Sequence, residues 1–327
     1  MNNADYKGLM VFAEQREGKI HPVSYELLGK GTEIAQRLGI EVSAVLLGSD
    51  MGSEINELFY YGAQKVYYFD HPVLRDFDLL NYKHNIARLV NEVKPETLLV
   101  GATHLGRSLA PRIAAAIGTG LTADCTSLEV GDEGNLVQIR PAFSGNIFAH
   151  IRTTTRPQMA TVRYKVMQKL PRDAGKRGEL IRKDAEIIDS VLKIVDKQST
   201  GGVNIADADV IVCGGRGLKG AADFALLEDL AGALGGVVGC TRPVVDDGWM
   251  GKEHQVGFSG NTVKPKLYVA VGVSGSPQHL AGMRDSDVIV AINADPSAPI
   301  FKLADYGIVG DLYEVIPKLT AEARKRS

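Results

Sequence analysis

Cysteine is scarce in this chain of 327 residues, which contains only three. Cys125, Cys213 and Cys240 are too widely spaced for a CxxC metal or iron–sulfur site, and their odd number argues against a disulfide framework. These features exclude a disulfide-stapled secreted scaffold and indicate a reducing compartment. We therefore expect a cytoplasmic protein.

An excess of charge is also lacking, since 37 Lys and Arg residues face 39 Asp and Glu residues. A basic face for nucleic acid and a polybasic segment for a membrane surface are both absent from the pattern. No apolar run reaches the roughly 18 residues that span a bilayer, and MNNADYKGLM does not resemble a signal peptide. The sequence predicts neither nucleic-acid binding nor membrane insertion.

The common catalytic motifs are missing as well. The chain contains no GxSxG, HExxH or Walker A sequence. Its aspartates near predicted strand ends, such as Asp295 and Asp311, are not spaced as a general acid and base would be. The sequence predicts no catalytic residue of its own and no metal site, but a site that holds an anionic ligand.

Strand and helix patterns alternate over residues 8–118. Short apolar runs predict strands in GLMVFAE, EVSAVLLG, KVYYFD and TLLVGAT. Helical periodicity separates them at Tyr25–Leu38, Glu54–Tyr61 and Leu79–Val93. From about Thr126, the runs SLEV, LVQIRPAF, IFAHIRTTT and MATVRYKV follow without an intervening helix, and predict an antiparallel extension of the first sheet or a hairpin packed on it.

A second alternating region follows the glycine-rich QSTGGVN at residues 198–204, which reads as a linker. Strands are predicted there in DVIVCGG, VVGCTRPVV, LYVAVGV and DVIVAIN, with helices at Ala222–Leu234 and from Asp311 to about Ala323. The chain length favours two domains, and we predict boundaries at 1–197 and 198–327. The fold class is α/β, with a mainly parallel sheet covered by helices in each domain. Ligands of such folds bind at the carboxyl ends of the strands.

Gly215-Arg216-Gly217-Leu218-Lys219-Gly220 fits GxGxxG after a predicted strand and before a predicted helix. The pattern suggests a dinucleotide turn. About 20 residues on, where an acid would hold the ribose, the sequence instead reads CTRP. A turn that serves only backbone geometry remains open, and so does a nicotinamide site.

The strongest candidate is GVSGSPQH, residues 272–279, between the strand-like runs LYVAVGV and DVIVAIN. Its small residues predict backbone amides that face a ligand above the strand end, and His279 could donate one hydrogen bond to it. A histidine that merely packs in the core is an equally good interpretation of the spacing. Thr241-Arg242 and the loop QVGFSG are weaker candidates at the same predicted edge.

The segment LYVAVGVSGSPQHLAGMRDSDVIVAIN closely resembles the signature of electron-transfer flavoprotein alpha subunits. The similarity extends to GGRGLK, TRPVVDDGW, HQVGFSGNTVKPKLY and NADPSAPIFKLADYGIVGDLYEVIP. In the first domain it includes GATHLGRSLAPRIAAAIGTGLTADCTSLEV, RPAFSGN and PQMATVR. The resemblance covers nearly the whole chain.

This resemblance implies a heterodimer in which a nucleotide-hydrolase-like first domain packs on a beta subunit and a Rossmann-like second domain binds FAD. It implies electron transfer between a dehydrogenase of the acyl-CoA type and another redox partner. In the bifurcating form, NADH and ferredoxin act through the beta subunit. The positions that correspond to the family's FAD contacts, with the adjoining Gln255, are Arg216, Thr241, Arg242, Gln255, Val256, Gly257, Phe258, Ser259, Ser274, Gly275, Ser276, Pro277, Gln278, His279, Asn293, Asp311 and Leu312.

Three of these residues acquire roles from the resemblance. Arg242 would lie against the isoalloxazine, Ser259 would offer its hydroxyl to flavin N5, and His279 would approach the N1/C2 carbonyl edge. Donors at that edge favour a negatively charged reduced flavin and raise its first reduction potential. Pro277 and Phe258 depart from the commonest family residues, and Phe258 removes a polar contact. A nicotinamide-dependent oxidoreductase and a non-redox adenine-nucleotide module remain the competing hypotheses.

Overall fold

The computed structural model describes residues 5–132, 134–142, 147–190, 194–195 and 204–326. The chain divides into two compact units, residues 1–196 and 197–327. Of the predicted linker at 198–204, only Asn204 lies within the described residues; its side chain caps the 3₁₀ turn Ile205–Asp207. No helix in the described part of the chain is long and apolar enough to cross a membrane.

Within its described residues, unit 1 contains four α-helices and twelve short strands. Its helices are α1 Pro22–Leu38, α2 Glu54–Tyr60, α3 Leu79–Val93 and α4 His104–Ile117. Its strands are β1 Leu9–Ala13, β2 Gln15–Arg16, β3 Lys19–Ile20, β4 Val42–Gly48, β5 Lys65–Asp70, β6 Thr97–Gly101, β7 Leu121–Cys125, β8 Ser127–Val130, β9 Leu136–Ala142, β10 Ile147–Ile151, β11 Gln158–Val162 and β12 Glu179–Lys183.

The main sheet of unit 1 has seven strands in the order β12-β5-β4-β1-β6-β11-β7, and all its pairs are parallel. Its central strands are fully buried because one apolar core lies on each face. The chain leaves β1 toward β4 on one side, whereas β6 lies on the other side. The gap between the carboxyl ends of β1 and β6 is therefore a topological switch point.

The run predicted to be antiparallel is divided between two sheets. β8, β9 and β10 form a separate antiparallel sheet of three strands. MATVRYKV does not join it, because β11 enters the main sheet between β6 and β7 with parallel pairing. β12 forms the opposite edge beside β5. The sequence pattern did not predict this strand, three of whose five residues are exposed.

Unit 2 has four α-helices and five strands in its described part, residues 204–326. The helices are α5 Phe224–Ala233, α6 Arg242–Asp246, α7 Pro277–Leu280 and α8 Leu312–Arg326. The strands are β13 Val210–Gly214, β14 Val237–Cys240, β15 Leu267–Val271, β16 Val288–Asn293 and β17 Tyr306–Val309.

The five strands of unit 2 pair in parallel in the order β14-β13-β15-β16-β17. Apolar cores cover both faces of this sheet. The chain leaves β13 toward β14, whereas β15 lies on the other side, so the switch point falls between β13 and β15. The sequence pattern predicted four of these strands but not β17, most of whose residues are exposed.

Candidate functional site

The turn after β13 packs directly against the turn after β15. The amide of Gly215 donates to Val271 O at 2.9 Å, and that of Gly217 donates to Gly272 O at 2.9 Å. A Cβ on Gly215 would lie 2.3 Å from Gly272 O, so no larger residue fits there. The third glycine of the motif, Gly220, has open space where its Cβ would be. The first two glycines thus serve close backbone approach at the switch point.

Two predicted arginines stand at this edge, and each is paired with an aspartate. Arg216 Nε lies 3.3 Å from Asp247 Oδ2. Arg242 Nε lies 3.4 Å from Asp246 Oδ2, one turn along α6. Both guanidinium groups are about two-thirds exposed. Exposed pairs of this kind hold their partners weakly, so both arginines remain available to a negative ligand.

Thr241 connects this edge to the end of β13. Its amide donates to Gly214 O at 3.0 Å, and the residue is buried where α6 begins. Pro243 at the second position of α6 is compatible with a helix start, because its missing amide hydrogen is not needed there. The predicted strand run VVGCTRPVV accordingly ends at Cys240, and Arg242 projects from the first turn of a short helix.

The loop QVGFSG, residues 255–260, is held to neighbouring elements by backbone bonds. Val256 N donates to Cys240 O at 2.9 Å, and Phe258 N donates to Gln278 O at 2.8 Å. Gln255 is buried, and its Nε2 donates to Ser259 Oγ at 3.1 Å. Ser259 is exposed, and the Phe258 side chain is 80% exposed. The loop therefore presents one hydroxyl and one aromatic ring at the sheet edge. Gly257 is buried in the same loop.

The turn Ser274–Gln278 carries donors that no protein group uses. Among the described residues, the amides of Ser274, Gly275 and Ser276 have no hydrogen-bond partner. Gly275 adopts a φ of +88°, which favours glycine, and a Cβ there would lie 2.5 Å from Ile300 N. Pro277 begins α7, and Gln278 beside it is exposed. Consecutive unpaired amides of this kind suit a phosphate or another oxyanion.

His279 is buried, and both of its ring nitrogens have protein partners. Nδ1 lies 3.1 Å from Val256 O, and Nε2 lies 3.1 Å from the Tyr268 hydroxyl. Burial lowers the pKa of His279 to about 4, although the bond to Val256 O opposes this shift. The imidazole is therefore neutral at pH 7. In this conformation it has no free N–H for a ligand, unlike the donation that the sequence suggested.

The remaining part of the site is formed by residues at the carboxyl ends of β16 and β17. Asn293 Nδ2 donates to Val273 O at 2.9 Å, and Asn293 O accepts from Gly310 N at 3.1 Å. Asp311 is exposed, and its Oδ1 accepts from Tyr313 N at 2.8 Å. Leu312 is buried against the core beneath. These bonds connect the ends of β15, β16 and β17 into one continuous edge.

Sequence reasoning missed a clamp made by Tyr313. Its hydroxyl donates to Asp223 Oδ2 at 2.5 Å and accepts from Lys219 N at 3.0 Å. The Lys219 ammonium lies 4.6 Å from the centre of the Tyr313 ring. The hydrogen bond from Tyr313 holds the pKa of Asp223 below its usual range. Tyr313 thus ties the GRGLKG turn to the start of α8, and the 94 positions between Lys219 and Tyr313 give no local signal of it.

The switch point of unit 1 is arranged differently. Glu14 follows β1 and is completely buried. Its Oε1 accepts from Arg16 Nη2 at 2.7 Å, its Oε2 accepts from Thr103 Oγ1 at 2.5 Å, and its amide donates to Ser24 Oγ at 3.0 Å. An internal carboxylate therefore already binds the side-chain donors of Arg16 and Thr103 at this edge. No group of His, Cys, Asp and Glu residues that could hold a metal ion occurs in the described ranges of either unit.

Two family models match the chain. The electron transfer flavoprotein domain matches residues 9–187, and the electron transfer flavoprotein FAD-binding domain matches residues 204–284. The second match includes the GRGLKG turn, the QVGFSG loop and His279.

Curated relatives match over nearly the full chain. The electron transfer flavoprotein subunit alpha of Thermoanaerobacterium thermosaccharolyticum is 49% identical over 98% of this chain and 99% of the relative. The subunit of the same name in Clostridium acetobutylicum is 49% identical over 99% of both chains. The lactate dehydrogenase (NAD(+),ferredoxin) subunit LctC of Acetobacterium woodii is 45% identical over 96% of this chain and 76% of that protein. The chain therefore belongs to the electron transfer flavoprotein alpha-subunit family, and its second unit contains that family's flavin-binding domain.

Proposed function

We propose that this chain is the FAD-bearing subunit of a heterodimeric electron transfer flavoprotein and that it passes electrons between a dehydrogenase and a second redox partner. The observation that carries this proposal is the edge of the unit 2 sheet. Unpaired amides at Ser274–Ser276 and two exposed arginines converge there without a paired general acid and base. Such an edge holds a negatively charged cofactor and leaves the chemistry to it.

The residues fit FAD in both of its parts. The amides of Ser274–Ser276 suit the pyrophosphate, and Arg242 and Ser259 suit an isoalloxazine edge that gains negative charge on reduction. When bound, FAD supplies one-electron and two-electron redox chemistry. The protein positions it, limits its contact with water and sets the charge around it. The proposed contact set is Arg216, Thr241, Arg242, Gln255, Val256, Gly257, Phe258, Ser259, Ser274, Gly275, Ser276, Pro277, Gln278, His279, Asn293, Asp311 and Leu312.

The proposed partner of unit 1 is a beta subunit. β10 exposes two large apolar side chains, Ile147 and Phe148, each 57% accessible. Exposed apolar neighbours on one strand are typical of a surface that another protein covers. We propose that the beta subunit covers this part of unit 1.

The proposed redox partners follow from the relatives. The name of LctC describes a dehydrogenase subunit that works with NAD(+) and ferredoxin. By analogy, NADH and ferredoxin act on this protein through the beta subunit, in a flavin-based bifurcation. A simple acceptor for an acyl-CoA dehydrogenase is the alternative within the family. The two forms differ in flavin content and in reaction with NADH.

Two competing functions agree less well with the structure. A nicotinamide site would need the GxGxxG turn to open into a helix, but Gly220 is followed by the 3₁₀ turn Ala221–Asp223 before α5 begins. The first two glycines instead pack on Gly272. An adenine-nucleotide site in unit 1 would bring phosphates to the buried Glu14 carboxylate, which repels them.

The test is to co-express the chain with its beta subunit, identify and count the flavins in the complex, and titrate it anaerobically with NADH. Two FAD per heterodimer and reduction by NADH support the bifurcating form. One FAD that does not react with NADH supports the acyl-CoA dehydrogenase acceptor. A folded heterodimer that binds no flavin contradicts the proposed function.

A further inference from the structure

Tyr268 lies in β15, beneath the predicted flavin site, and is completely buried. Its hydroxyl lies 3.1 Å from His279 Nε2. Burial and the neighbouring Cys213 raise the pKa of Tyr268 well above its usual range, so the phenol keeps its proton. A buried tyrosine hydroxyl ordinarily has a hydrogen-bond partner, and here the partner is an imidazole of the ligand-binding turn.

The geometry fixes which nitrogen of His279 carries the hydrogen. A carbonyl oxygen can only accept, so the contact between Nδ1 and Val256 O requires hydrogen on Nδ1. In a neutral imidazole, Nε2 is then an acceptor, and the Tyr268 hydroxyl donates to it. The three groups form a directed chain from the Tyr268 hydroxyl through His279 to the Val256 carbonyl.

The last hydrogen bond of this series, from His279 Nδ1 to Val256 O, holds the QVGFSG loop against α7. Besides the bond from His279 to Val256 O, the loop is joined to α7 by the bond from Phe258 N to Gln278 O. At the same place Gly257 and Gly282 pack so closely that a Cβ on Gly282 would lie 2.5 Å from Gly257 Cα. A side-chain bond from the core thus fixes the carbonyl two residues before Phe258 and three before Ser259.

We infer that Tyr268 is a positioning residue of the flavin site: by donating to Nε2 it selects the Nδ1–H form of His279, and Nδ1–H in turn fixes the loop that presents Ser259. The effect on the loop follows from the hydrogen bonds among Tyr268, His279 and Val256 alone. Its consequence for the cofactor rests on the proposed function. Besides its place in the proposed contact set, His279 then acts on the ligand through the Val256 carbonyl and the loop, and Tyr268 acts through His279.

The first test reads the tautomer of His279 by ¹⁵N NMR of the histidine-labelled protein, with its signals assigned from a His279→Asn variant. We expect a single neutral form with hydrogen on Nδ1. Tyr268→Phe removes the donor to Nε2, so the Nε2–H form becomes populated. Hydrogen exchange at Gly257 and Phe258 should then accelerate about fivefold, the effect of one typical hydrogen bond.

Tyr306→Phe is the matched control, because Tyr306 is 66% exposed and lies in the edge strand β17, which β16 separates from β15. It should change neither the tautomer nor the exchange. Hydrogen on Nε2 in the unaltered protein overturns the inference. An unchanged tautomer and unchanged loop exchange in Tyr268→Phe also overturn it. The unaltered protein reports the tautomer even if that variant folds poorly.

The second test compares FAD affinity in the heterodimer. Tyr268→Phe should weaken it about tenfold, which corresponds to about 1.4 kcal/mol. Equal affinity in the presence of an altered tautomer rules out the role in the flavin site. If neither protein binds FAD, the proposed function fails, while the NMR result still decides what Tyr268 does to His279.

Discussion

Both units contain a parallel sheet, but the polar groups at the switch point are paired within the protein in unit 1, whereas some of them are unpaired in unit 2. In unit 1, the buried Glu14 carboxylate accepts hydrogen bonds from Arg16 and Thr103. In unit 2, the corresponding edge has glycine turns in close contact and amides without protein partners at Ser274–Ser276. A parallel sheet therefore offers a ligand-binding edge, and the residues immediately after its strands decide whether protein or ligand fills it.

This difference also explains why polar groups remain exposed in unit 2. Backbone amides without partners cost stability when they are buried, so they persist only where water or a ligand reaches them. The exposed Ser274 and Ser276 satisfy this condition, whereas Gly275 between them is buried, so its unpaired amide favours a bound ligand. Glu14, in contrast, is buried and must be paired within the protein.

The largest effect is expected from filling the contact between the two glycine turns. In Gly215→Ala, the new methyl group would lie 2.3 Å from Gly272 O and 2.8 Å from Val273 Cα, and both of these atoms belong to the backbone. We expect a loss of about 3 kcal/mol or more in unfolding free energy and loss of bound flavin. Urea unfolding followed by the fluorescence of Trp249, the single tryptophan, measures the change in unit 2.

Gly220→Ala is the matched control from the same motif, since open space surrounds the position of the new methyl group. It should leave stability within about 0.5 kcal/mol and flavin content unchanged. Equal damage from both variants would show that the motif binds a cofactor through its third glycine, as a nicotinamide turn does.

The next effect concerns pH, because the unit 2 edge depends on a neutral buried imidazole. Unfolded histidine binds a proton near pH 6.5, whereas burial lowers the pKa of folded His279 to about 4. The corresponding stability is complete above pH 6.5 and is lost as the pH falls toward 4. Between pH 7 and pH 4 the loss amounts to about 3 kcal/mol.

His279→Asn removes this titration and retains a side-chain amide that can donate toward Val256 O. The difference in unfolding free energy between the variant and the unaltered chain, followed by Trp249 fluorescence at both pH values, isolates the contribution of His279. If the two proteins lose equal stability on acidification, the imidazole is not held neutral by its surroundings.

A smaller effect is expected from Arg242→Ala, which removes positive charge from the flavin edge. The loss of a hydrogen bond to a charged group costs about 1.5–3 kcal/mol, or roughly 60–130 mV in a one-electron couple. The first reduction potential should fall by this amount, and flavin should bind less tightly. Potentiometric titration of the heterodimer measures it, with Arg324→Ala near the end of α8 as control. An unchanged potential at full flavin occupancy would remove Arg242 from the site.

The smallest effect on the flavin is expected from Glu14→Gln, which alters the switch point of unit 1. The amide cannot accept hydrogen bonds on both of its arms, so a donor from Arg16 or Thr103 loses its partner. We expect unit 1 to lose about 1–2 kcal/mol, seen as faster hydrogen exchange in β1 and β6. Flavin content should not change. A decrease in flavin content would show that the unit 1 edge takes part in cofactor binding.

The sequence predicted the helices and strands better than the pairing of the strands in the sheets. α3 was predicted at its observed bounds because its apolar residues follow the helical period, and in the structure Asp78 caps its first turn. The insertion of β11 between β6 and β7 depends on pairing with strands that are distant in the sequence. β12 and β17 were missed because exposed edge strands carry no continuous apolar run.

The sequence predicted which strand ends form the candidate site, but not the contacts between the residues of the site. The glycines and serines of GVSGSPQH indicated free amides, because few other residues permit such a turn. The partners of His279 could not be predicted, since Tyr268 looked like an ordinary core residue of β15. The clamp of Tyr313 and the pairing of Arg216 with Asp247 likewise depend on the folded positions of separate loops.

The most direct test of the difference between the two edges is hydrogen–deuterium exchange of the heterodimer with its flavin removed and then restored. We predict that FAD slows exchange in unit 2 at residues 215–218, 255–261 and 272–280. Exchange around Glu14 and Thr103 in unit 1 should stay the same. Protection that appears at the unit 1 edge and not at these three segments would contradict the account.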